Sequence, residues 1–123
     1  MDSNLFEKID YDNDALWVVK DALNTFNASY FPEFIESLIL KKEGGGDEYG
    51  GCRFPSDLDE SEIYYDYGRN PFEGVECWYL EDNVVVSEDE FFKLLKEACE
   101  RYIELHPDKT DEIEQIMSQS TLI

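Results

Sequence analysis

The amino-acid sequence predicts an α+β fold, a small antiparallel sheet of three to four strands packed against N- and C-terminal helices. Three observations carry this expectation. Apolar residues recur at helical spacing near both ends of the chain, their period drops toward two in the middle, and a helix-start signal, Ser87 with Glu90, follows the last alternating run. At 123 residues the chain is expected to form one domain, with N-terminal helices over 1–43, central acidic strands and loops over 44–86 and C-terminal helices over 87–123.

Taken in order, Leu16, Val19, Leu23 and Phe26 form one apolar stripe and predict a helix over Asn13 to Ala28, with Asp12 or Asn13 as its cap. Pro32 suits a first helical turn, and Phe34, Ile35, Leu38 and Ile39 carry a second helix to Lys42, where Lys41 and Lys42 complement the helix dipole. Gly44, Gly45 and Gly46 end that helix, and residues 41–51 read as a glycine-rich polar loop. A short strand, Cys52 to Phe54, is expected at a sheet edge, and Glu62 to Tyr67 alternates as a strand beside the hairpin that follows. In the run from Phe72 to Leu80, Val75, Cys77 and Tyr79 fall on one face and Glu76, Trp78 and Leu80 on the other. Glu81, Asp82 and Asn83 are expected to turn the chain into a strand of Val84, Val85 and Val86. Beyond Ser87, Phe91, Leu95, Ala98, Cys99 and Tyr102 share a helix face that should stop near His106, because Pro107 cannot continue the backbone ladder. A final helix is expected over Thr110 to Ser118, with Ile113, Ile116 and Met117 inward.

Composition narrows function. The chain carries 30 Asp and Glu against 10 Lys and Arg, a formal net charge of −20. Such acidity suggests disorder first, but 15% aromatic and 42% hydrophobic residues in periodic runs oppose it. Direct binding to nucleic acid or to an anionic membrane is not expected, since both require clustered cations. The N-terminus lacks the basic and apolar regions of a signal peptide, and no run approaches the ~18 apolar residues of a membrane span. Cys52, Cys77 and Cys99 lack metal-ligand spacing, so a cytoplasmic chain with reduced, mostly buried thiols and no cofactor is expected.

Catalytic chemistry finds little support. The single histidine, His106, stands at a helix stop with no nucleophile motif near it, and the glycine trio lacks the Lys and Ser or Thr of a phosphate loop. Asp10, Asp12, Asp14 and Asp21 approximate the spacing of a calcium loop, which makes a calcium-binding module one alternative. Ala15 stands where that loop needs glycine, however, and aspartates before a helix commonly cap it.

The charge is also unevenly placed. Residues 43–90 hold fifteen acids and only two bases, Arg53 and Arg69, and interleave them with Tyr49, Phe54, Tyr64, Tyr65, Tyr67, Phe72, Trp78 and Tyr79. Aromatic anchors within a charged rim favour a protein interface, and an unbalanced cluster steers a basic partner. Strand alternation puts Glu62, Tyr64 and Asp66 on one face, and Glu76 with Trp78 on another. The candidate binding residues are therefore Asp57, Asp59, Glu60, Glu62, Tyr64, Asp66, Glu73, Glu76 and Trp78. A second alternative is an acidic nucleic-acid mimic that inhibits a DNA-binding or restriction protein.

Residues Asn70 to Pro107 carry a resemblance. Phe72-Glu73-Gly74-Val75, the acidic turn, the Ser87 cap, the helix face of Phe91, Leu95, Ala98, Cys99 and Tyr102, and the His106-Pro107 stop resemble the C-terminal half of one group of immunity proteins. These are the partners of ribonuclease-type toxins in contact-dependent growth inhibition (CDI) systems, and Asn4-Leu5-Phe6-Glu7 fits the same pattern. The resemblance covers about half the chain and rests on packing motifs. It implies a small cytoplasmic antidote without enzymatic activity, binding one cognate basic nuclease toxin domain 1:1 and blocking its active site. The interface residues of such proteins vary with the toxin, so no individual site residue follows from it.

Overall fold

Short polar side chains delay the first helix. In the structure, a computed structural model describing residues 5–6, 8–25, 31–41, 43–46, 49–59, 61 and 72–119, Asp10 Oδ1 accepts the Asp12 and Asn13 backbone N–H groups at 3.1 and 3.2 Å. Asp14 accepts the Leu16 N–H at 2.9 Å and pairs with Lys20. These side chains compete for the donors a helix would use, so α1 spans Trp17–Asn24 rather than starting at Asn13. Val19 and Leu23 are buried as expected, whereas Leu16 is half-buried and Phe26 lies outside the described residues.

The second helix, α2, spans Phe31–Glu36 and widens into a π-helical turn over Ser37–Lys41. The wider turn buries the adjacent Leu38 and Ile39 together. Lys42 lies outside the described residues.

Part of the glycine-rich segment is strand rather than loop. Gly45–Gly46 forms β1 and Gly50–Arg53 forms β2, which with β3, Val75–Tyr79, and β4, Asp82–Val86, build an antiparallel sheet in the order β1-β2-β3-β4. Close approach explains the glycines: a Cβ at Gly51 would lie 2.4 Å from the Gly45 carbonyl oxygen and 2.7 Å from Trp78 Cζ2. The expected edge strand at Cys52 is therefore interior, because β1 flanks it. The strand expected over Glu62 to Tyr67 lies outside the described residues. The hairpin turn is Leu80-Glu81 rather than Glu81, Asp82 and Asn83, since Tyr79 pairs with Asp82 and Trp78 with Asn83.

Cross-strand alignment puts Cys52, Cys77 and Val84 on one sheet face, and Val75 with Val86 likewise. α1 lies across β2, β3 and β4, and this face closes the core. The Ser87 hydroxyl accepts the Glu90 N–H at 3.1 Å and starts α3, Glu88–Leu105. That helix buries Phe91, Leu95, Ala98, Cys99 and Tyr102 as expected. Each large side chain so buried stabilises by roughly 1.5–3 kcal/mol. His106 ends α3, its N–H bonded to the Tyr102 carbonyl at 2.8 Å. Its ring lies on Tyr102, which in turn stacks on Phe31 with centroids 4.3 Å apart. A 3₁₀ turn at Pro107–Lys109 leads into α4, Thr110–Ser118, where Ile113 and Ile116 are buried and Met117 packs against the core. The three cysteines are free and buried. No described helix is long and apolar enough to cross a membrane.

Candidate functional site

Alternation along the strands leaves Arg53, Glu76, Trp78, Asn83 and Val85 on the sheet face opposite Cys52 and Cys77. Trp78 rests over the backbone of Gly46 and Gly51, which lack side chains that would displace it. Glu76 and Trp78 share this face, as the sequence implies. Glu76 is only 8% exposed, and its Oε1 accepts the Arg53 Nε–H at 2.6 Å. A carboxylate so placed positions β2 against β3.

Asp57 also acts within the fold. Its Oδ2 accepts the Gly44 N–H at 2.9 Å and the Phe54 N–H at 2.8 Å, fastening the start of β1 to the 3₁₀ turn at Pro55–Asp57. Phe54 is thereby set against Phe91 and Phe92 in the core. Asp59 and Glu73 are exposed. Glu60, Glu62, Tyr64 and Asp66 lie outside the described residues.

Two surface cavities lie at opposite ends of β4. One, of about 400 Å³, is lined by Glu73, Gly74, Val85, Val86, Ser87, Glu88 and Asp89. Gly74, at φ 102°, allows this junction, because a Cβ there would lie 2.1 Å from the Val86 carbonyl oxygen. The other, of about 580 Å³, is lined by Tyr49, Leu80, Glu81 and Asp82. Tyr49 is 60% and Leu80 56% exposed. Leu80 takes φ 55°, a left-handed conformation that costs a residue with a Cβ roughly 1–2 kcal/mol. Its N–H donates to the Tyr49 carbonyl at 2.7 Å, which extends the β2–β3 ladder to the turn.

Sequence reasoning missed this second site. The missing signal was the absence of glycine or asparagine from the two-residue turn, where Leu80-Glu81 stands instead. Among the described residues both cavities are lined by acids and exposed apolar surface and by no base, a lining that suits a cationic protein surface better than an anionic ligand.

The calcium arrangement does not form. Asp10 and Asp14 are occupied by Asn13, Leu16 and Lys20, and these contacts hold both carboxyls below the usual carboxylate range. Asp21 is buried on α1, where its Oδ1 accepts the Tyr11 hydroxyl at 3.4 Å and Oδ2 has no partner among the described residues. Among the described residues no three His, Cys, Asp or Glu side chains come together as metal ligands. Burial raises the Cys99 thiol to about 12 and pushes Cys52, which faces Cys77, well above the usual range. These sulfurs are not poised as nucleophiles.

Comparison with known proteins returns a family: a model described as CDI immunity protein matches residues 15–117. No curated protein matches the chain.

Proposed function

Because the chain belongs to the family of CDI immunity proteins, we propose that it binds the toxin domain encoded beside it and blocks that domain's active site. The toxin is a basic nuclease, of ribonuclease type, and the complex is 1:1 and forms in the cytoplasm. The observation that carries this reading is the net charge of −20, with fifteen acids against two bases in residues 43–90. A domain that acts on nucleic acid presents cations to phosphates, and an acidic protein occupies that surface without itself being cleaved. Asp59, Glu60, Glu62, Asp66 and Glu73 supply the field and Tyr64 and Trp78 supply anchors, whereas Glu76, paired with Arg53, and Asp57, bonded to two backbone N–H groups, serve the fold.

The test is coexpression with the toxin domain from the neighbouring gene, together with affinity measured on a catalytically inactive toxin. Asp59→Asn, Glu62→Gln and Asp66→Asn combined should weaken binding by about tenfold or more and reduce protection. Unchanged affinity and protection would refute the electrostatic mechanism. Equal inhibition of unrelated DNA-binding proteins would instead indicate a general nucleic-acid mimic.

A further inference from the structure

Among the described residues, only Lys8 and Leu80 are non-glycine residues at positive φ, and Leu80 is apolar and exposed. Folding explains neither property. A left-handed two-residue turn is easiest for glycine or asparagine, and burial does not reward a leucine that remains 56% exposed. The backbone nevertheless fixes this residue firmly. Tyr79 pairs with Asp82 on one side of the turn, and the Leu80 N–H is held by Tyr49 on the other. A strained, exposed, apolar side chain held rigidly by its surroundings is suited to binding, because little ordering entropy is lost when it is covered.

The surroundings specify what covers it. Tyr49 supplies a second exposed apolar surface, and Glu81 and Asp82, both exposed, complete the lining of the cavity of about 580 Å³ among the described residues. We infer that Leu80 is an anchor of the toxin interface, entering an apolar recess on the toxin whose rim carries lysine or arginine opposite Glu81 and Asp82. This rests on the toxin-binding reading above and names the part of the surface that performs it. A nucleic acid is disfavoured by the lining charges, and a second copy of this chain by like-charge repulsion.

The experiment compares Leu80→Gly and Leu80→Asn with the unaltered chain, measuring Kd for the inactive toxin domain and thermal midpoint. Both replacements suit the left-handed turn, so the midpoint should stay the same or rise while Kd increases at least about tenfold. Leu105→Ser alters a leucine exposed elsewhere, at 38%, and should leave Kd unchanged. Unchanged affinity in both Leu80 variants, or an equal loss in Leu105→Ser, would overturn the inference while leaving the proposed function standing. Failure of the unaltered chain to bind the toxin would overturn both.

Discussion

One hydroxyl fixes the start of the longest helix. Ser87 Oγ accepts the Glu90 N–H, and Glu90 Oε1 reaches back to the Ser87 hydroxyl at 3.2 Å, so Ser87→Ala should cost about 1 kcal/mol in urea unfolding. Asp14 makes a prediction in pH. Its folded-state pKa is depressed by the Lys20 contact first and the Leu16 N–H second, so its stabilisation is present above the ordinary carboxylate value, about 4, and lost as pH falls through the lower folded value. Asp14→Asn should therefore lower the thermal midpoint at pH 7 and converge on the unaltered chain in strong acid. The same residue shows why α1 was misjudged from sequence. The stripe starts at Leu16, and reading Asp12 or Asn13 as the cap carries the expected helix back to Asn13, whereas the carboxylates of Asp10 and Asp14 take the local N–H groups first.

At the scale of elements, the β1–β2 hairpin depends on the absence of side chains. A methyl group on Gly51 must displace both the Gly45 carbonyl and the Trp78 ring. Gly51→Ala should then destabilise by roughly 1–3 kcal/mol and shift tryptophan fluorescence, and an unchanged unfolding curve would contradict this packing. Glycine content reads locally as loop, and only its long-range pairing with Trp78 makes it strand, so this part of the sheet was not legible in sequence. α3 was legible because its signals are local: a cap, a five-residue apolar stripe and a proline stop. For the candidate site, sequence located the acidic centre and the shared face of Glu76 and Trp78. It could not show that Arg53 occupies Glu76, nor that Asp57 holds two backbone groups, since both contacts are made only once the sheet is assembled. Local preference disfavours leucine in a left-handed turn and points instead to Glu81, Asp82 and Asn83, two of which the structure places in β4.

For the whole molecule, a charge of −20 acts on folding and on association with opposite signs in salt. Self-repulsion is screened as salt rises, so the thermal midpoint of the free chain should increase between low and moderate salt. Steering toward a basic partner is screened by the same ions, so the association rate with the toxin should fall, by about tenfold from 0.05 to 0.5 M. A stopped-flow series alongside a melting series tests both, and a rate independent of salt would remove steering from the account. The buried sulfurs have a practical consequence for such work. With Cys52, Cys77 and Cys99 sealed in the core, the folded chain should take up no maleimide dye within minutes. A cysteine introduced at exposed Leu105, away from the Leu80 surface, would then be its sole reactive handle, giving fluorescence distances to a bound partner from a single label.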